Sequence, residues 1–188
     1  MIVQENKIVE RKDMTDFNNA TANSESKNNI YVRPAGKDDV RDIAEICVED
    51  WKIAYKGIIG DDFLDSMNVE DRYQIEVKRY DKQFVATDGD KVLGYSWLEE
   101  ADDEAADCEV IALYVRYNQR KNGIGRILME HAFEHFRGLG KKSMIVWCLK
   151  DNLESRKFYE KIGGREYRIS LHKWGVKDYA IVSYLFDL

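Results

Sequence analysis

Six residues, Arg120 to Gly125 (R-K-N-G-I-G), set two cations and two glycines between a β-branched, aromatic run and a helical pattern; a third cation, Arg126, follows. A helix start leaves backbone N–H groups unpaired and carries a partial positive charge. Glycines let an anion approach those amides closely. Strand, R-K-N-G-I-G, then helix is therefore a phosphate cradle in principle, with Arg120, Lys121 and Arg126 adding charge and Asn122 placed to cap the helix. The competing reading is a tight turn whose glycines serve geometry alone. Two other nucleotide cradles are excluded by spacing. No G-x-x-x-x-G-K-[ST] occurs, and Leu128 stands where G-x-G-x-x-G needs its third glycine.

The elements that would hold this junction follow from periodicity. Residues 1–29 are polar and rich in Asn and Ser, and bury too little to offset their ordering entropy, so a flexible tail is expected there. The folded domain is expected over residues 30–188, opening on a short strand stopped by Pro34. Val40, Ile43, Ala44, Cys47, Val48, Trp51 and Tyr55 then trace one face of a helix that Gly57 can end. Short helices over 61–66 and 69–80 follow. Alternating apolar residues on either side of Asp88-Gly89 predict a hairpin. The acidic run 99–107 reads as a loop, and the near-continuous apolar run 108–116 as a central strand. A helix after Gly123, a buried strand over 143–149, a helix over 152–162 ending at Gly163-Gly164, and two closing strands complete the chain. A strand-helix-strand crossover at the centre requires parallel strands, whereas the hairpins are antiparallel. The fold class is mixed α/β: one twisted sheet with helices on both faces.

The bulk properties narrow the function. The 188 residues suit one domain plus a tail, and 44% hydrophobic with 34% charged residues suits a globular enzyme or binding module. A net charge of −6 argues against nucleic-acid or anionic-membrane partners. Three scattered cysteines, Cys47, Cys108 and Cys148, support neither a disulfide framework nor a zinc site. Together with the lack of an apolar leader or a membrane-length apolar run, they make the cytoplasm the expected compartment.

Two blocks carry a resemblance. "ALYVRYNQRKNGIGRILMEHA" resembles the first motif of the GNAT superfamily of acyl-CoA-dependent N-acyltransferases, [QR]-x-x-G-x-[GA], through Arg120, Gly123 and Gly125. "VWCLKDNLESRKFYEKIGG" resembles its second, with Asn152, Phe158, Tyr159, Glu160, Lys161 and Gly163 in place. The resemblance spans about residues 30–188 and implies that family's fold, with six to seven strands and a splayed central parallel pair. It implies acetyl-CoA as cosubstrate and no metal. The amides of residues 121–126, including Ile124, would bind the pyrophosphate. The backbone around Tyr114, at Leu113 and Val115, would bond the pantetheine arm like an added strand. Asn152 and Ser155 would lie against the cofactor. In the second motif, "IGG" departs from the family's usual x-G-F, so an aromatic after the helix is missing.

Direct transfer to an amine needs a base for the amine proton and an acid for the departing thiolate. By resemblance Tyr159 projects toward the sulfur and is the candidate acid; a packing role competes, the chain holding 11 tyrosines. Glu109 begins the central strand, where related enzymes often carry a carboxylate that works through water. It also follows Glu99, Glu100, Asp102, Asp103, Glu104 and Asp107, so a plain solvated acid is an equal reading. Trp51 and Tyr55 belong to a W-x-x-A-Y-x-G pattern that recurs among small-molecule members, and are candidates for the acceptor cleft or for the core. The acceptor is expected to be a small cationic or polyamine-like amine, drawn in by the acidic run. A protein N-terminus or lysine is the alternative, and a non-catalytic acyl-CoA sensor is a further one. A monomer and a homodimer are both compatible with the sequence.

Overall fold

Seven strands form one mixed sheet in the order β1-β2-β3-β4-β5-β7-β6. The computed structural model describes residues 30–89 and 91–188; the expected tail, residues 1–29, lies outside them. The strands β1 (Tyr31–Pro34), β2 (Gln83–Thr87), β3 (Val92–Glu100) and β4 (Cys108–Val115) pair antiparallel in turn. The hairpin expected at Asp88-Gly89 joins β2 to β3, with Gly89 at φ 110°. β5 (Ser143–Leu149) runs parallel to β4. The closing strands β6 (Arg165–Trp174) and β7 (Lys177–Asp187) are longer than the sequence pattern predicts, and β7 inserts between β5 and β6.

Helices α1 (Val40–Ala54), α2 (Asp61–Ser66) and α3 (Val69–Glu76) precede β2, α4 (Ile124–Gly138) links β4 to β5, and α5 (Leu153–Lys161) follows β5. The stripe Val40, Ile43, Ala44, Cys47 and Val48 is buried, and α1 packs on Val85, Tyr95 and Ala112 of the sheet. On the opposite face, Met129, Ala132 and Phe136 of α4 and Tyr159 of α5 pack on Cys108, Val110, Val146 and Tyr184. The third helix stops four residues short of the expected end. Its last residue, Glu76, is fully buried and takes Arg72 at 2.5 Å, Arg79 at 2.6 Å and the amide of Gln83 at 2.6 Å. A buried carboxylate has to be paired, and gathering these partners turns the chain into β2.

One irregularity shapes everything that follows. Opposite β3, Trp97 faces Ala112 and Leu98 faces Val110, so β4 bulges at Ile111. A bulge bends the strand that carries it. β4 pairs with β5 only through Cys108↔Met144, Glu109↔Ile145 and Val110↔Val146, and past the bulge it stays with β3 and leaves β5. The expected splay of the parallel pair is present. The missing aromatic after α5 also has a structural answer: a Cβ on Gly164 would come within 2.7 Å of the Phe186 ring, so a residue of β7 fills that space.

Candidate active site

The splay opens a cavity of about 620 Å³ that runs from the glycine junction along β4 to the start of α5. Leu113, Tyr114 and Val115 line one wall, and Arg120, Lys121, Gly123, Ile124, Gly125 and Arg126 form one end. Asn152 and Ser155 lie opposite, joined by a 3.1 Å bond in which the Asn152 side chain caps α5 by accepting the Ser155 N–H. Tyr55 and Tyr159 also line the cavity; Trp51, Glu109 and Asn122 do not.

At the junction the helix cap is Gly123, not Asn122. Gly123 sits at φ 85°, where side-chain-bearing residues are strained, and no side chain caps α4. The Asn122 amide reaches Gln119 instead, at 3.5 Å. Lys121 is also left-handed, at φ 66°. The first amides of α4 thus keep their hydrogens for an outside acceptor, which fits an anion such as a pyrophosphate. Two of the three surrounding cations already have carboxylate partners, while Lys121 is exposed. Arg126 pairs with Glu130 at 2.8 Å. Arg120 pairs with Asp50 of α1 and lies 3.7 Å from Glu154.

Asp50 is the residue that reading by motif passes over. It is only 6% exposed and lines the cavity. Its signal in the sequence is an acid three and four residues past Cys47 and Ile46, on the buried side of α1. Burial lifts its carboxyl to about 6, against the pull of Arg120 and with a small push from Glu154. A carboxyl raised on folding destabilises the folded state when charged, so its cost appears as pH rises from the ordinary carboxylate range through about 6. Asp50→Asn removes that titration. The variant's melting temperature minus that of the wild type is therefore expected to climb from about pH 4 to about pH 7. A difference that stays flat across that range contradicts the assignment.

Tyr159 is 6% exposed, and burial pushes its phenol well above the usual tyrosine range, with Cys148, Tyr55 and Asp50 adding to the rise. Cys148 lines the same space, and burial lifts its thiol to about 12. Glu109 stands on the part of β4 still paired with β5, at the closed end of the gap and outside the cavity lining. Burial, then Asp103 and Asp102, push its carboxyl up to about 7. Trp51 is packed rather than open: its ring lies 4.9 Å from Tyr55, 5.7 Å from Trp174 and 6.2 Å from Phe63. The acidic run is not one solvated loop. Glu99 and Glu100 belong to β3 and pair with Lys82 and Lys141, each at 2.7 Å, and Asp103 pairs with Arg168. Asp102 and Glu104 remain exposed.

A gap between parallel strands with a side-chain-free helix start at its mouth is the arrangement into which an acyl-CoA fits. Residues 41–164, well over half of the chain, match the acetyltransferase (GNAT) family. The chain belongs to the GNAT family. It is 31% identical over 129 residues to an uncharacterized N-acetyltransferase of Bacillus subtilis (strain 168), covering 65% of this chain and 73% of that protein. The fold is shared with the PaiA N-acetyltransferase of Thermoplasma acidophilum in complex with coenzyme A, at a TM-score of 0.64 and 18% identity over 81% of this chain and 97% of that one. A putative acetyltransferase from Salmonella typhimurium with its cofactor acetyl-CoA gives 0.63 and 17% over 84% and 93%. This GNAT protein is an N-acetyltransferase with acetyl-CoA as its cosubstrate. Among the described residues no group of three or more His, Cys, Asp or Glu side chains could hold a metal, and no helix is long and apolar enough to cross a membrane.

Proposed function

We propose that this GNAT enzyme transfers acetyl from acetyl-CoA directly to a primary amine, a small cationic or polyamine-like molecule, in the cytoplasm. The continuous passage from the junction to Tyr159 between the splayed strands supports this reading. The amides of residues 121–126 hold the pyrophosphate. Past Val110, β4 has no β5 partner, so Leu113 and Val115 have backbone groups available to the pantetheine arm. The thioester supplies an activated acetyl carbon. The Tyr159 phenol, kept protonated by burial, donates to the departing sulfur. An acetyl-cysteine route is disfavoured because the Cys148 thiol, at about 12, holds little thiolate at neutral pH.

Glu109 takes the amine proton through water reaching the closed end of the gap. With its carboxyl near 7, the basic form dominates only above about pH 7. Wild-type kcat/KM should rise through that pH, and Glu109→Gln should flatten the rise and lose roughly 10²-fold or more above it. An unaltered pH profile returns Glu109 to the ordinary acids of the run. The reading as a whole is tested by coenzyme A release across a panel of amines and peptides. Turnover with small cationic amines is the expected result, and turnover confined to peptides would shift the acceptor to a protein.

A further inference from the structure

The two edges of the sheet are unlike. β1 is four residues long and ends in a proline, which blunts that edge. β6, at the other edge, runs for ten residues without a proline, and every residue of it except Trp174 is exposed. Ile169 is 52% exposed and Leu171 69%. They stand opposite Val182 and Ala180 of β7, on the face where Val182 packs in the same cluster as Tyr159.

Two observations fix which backbone groups of β6 point outward. The Arg168 N–H donates to the Ser183 hydroxyl of β7 and the Arg168 C=O accepts from it, at 3.3 Å each. At the far end, the two-residue turn Gly175-Val176 closes on Trp174 and Lys177, the hydrogen-bonded pair of such a hairpin. Backbone direction alternates along a strand. Both ends therefore turn Ser170 and His172 toward β7 and leave the N–H and C=O groups of Ile169, Leu171 and Lys173 pointing away from the sheet.

We infer that β6 is the contact between two copies of this chain, paired antiparallel about Ser170 so that one sheet runs through both. Such a pair has two-fold symmetry, and the strand must complement itself. The sequence selects the centre. Pairing about Arg168 sets arginine against arginine, and pairing about Ile169 sets Arg165 against Lys173. Pairing about Leu171 or His172 sets Lys173 against Ile169 or Leu171. Pairing about Ser170 sets Ile169 against Leu171 of the second copy, and Leu171 against its Ile169. Both are outward positions, so they exchange backbone bonds while their side chains meet. Lys173 then faces Tyr167, and Arg168 faces His172. The strand's other charges are matched inside each copy: Arg165 with Asp187 at 2.5 Å, Glu166 with Arg156 at 3.0 Å, and Arg168 with Asp103.

Sedimentation velocity of the full chain tests this. The wild type should double in mass between roughly 1 and 100 µM. At the centre of the pair Ser170 meets its own copy at the closest side-chain approach, and like charges there repel. Ser170→Lys and Ser170→Asp should each weaken dimerisation roughly tenfold or more, and an equal mixture of the two should restore it. Ser170 is exposed, so both variants keep the wild-type melting temperature of the monomer. Leu171→Pro removes an outward N–H without touching the ladder to β7 and should also give monomers. A wild type that stays monomeric across the range overturns the inference. So does a dimer that survives all three substitutions, which places the contact elsewhere, or a mixture no more associated than its components, which refutes the register.

Discussion

Gly123→Asp is expected to weaken acetyl-CoA binding by at least roughly a hundredfold, about 2.7 kcal/mol, in a protein that still folds. Two effects act together. At φ 85° any side chain strains the backbone, at a cost of roughly 1–2 kcal/mol. The substituted Cβ would meet no atom within 4 Å, so no steric clash adds to that. The larger effect is charge: the new carboxylate stands where the uncapped amides of α4 await an anion, and it competes for them while repelling the pyrophosphate. Gly123→Ala separates the two, because it carries the strain without the charge and should lose far less affinity. Calorimetry gives the dissociation constants directly. The rise in melting temperature on adding acetyl-CoA gives an independent reading, since a ligand that binds only the folded state stabilises it. Undiminished affinity in Gly123→Asp removes the junction as the phosphate site.

Tyr159→Phe is expected to lower kcat by on the order of a hundredfold while acetyl-CoA affinity holds. The ring is held by its neighbours, with Phe158 at 5.3 Å and Tyr184 at 5.8 Å between ring centres, and phenylalanine preserves that packing. Only the hydroxyl is lost. If the hydroxyl protonates sulfur, the transition state loses a donor and the bound ground state loses little, which places the damage in kcat. Turnover and binding measured on one preparation of each protein decide the matter. Wild-type turnover in the variant shows that the ring is structural and that another group supplies the proton. Tight binding without turnover in the wild type, across a broad amine panel, favours the acyl-CoA sensor.

The two motifs, the α1 stripe, the hairpin at Asp88-Gly89 and the β4-α4-β5 crossover were legible because each is local. Period, turn chemistry and glycine spacing act within a few residues of chain. The pairing of charges is not local. Arg120 reads as a cation facing phosphate, yet it pairs with Asp50, 70 positions away. The acidic run reads as solvated, yet Glu99, Glu100 and Asp103 meet Lys82 from the turn before β2, Lys141 from the loop before β5 and Arg168 from β6, brought beside them by the fold. Asn122 reads as a cap, but the left-handed turn at Lys121 and Gly123 hands that place to glycine.

By itself, then, the sequence determined that a glycine junction would open a helix beside a central strand, since nothing beyond neighbouring residues is needed for that. Only the tertiary structure decided which groups share the space in front of it. The bulge at Ile111 sends β4 away from β5, and the resulting gap admits Tyr55 from one face and Tyr159 from the other, residues more than a hundred positions apart. Their meeting depends on where a strand bends within a packed sheet, a property of the assembled layers that no local pattern encodes.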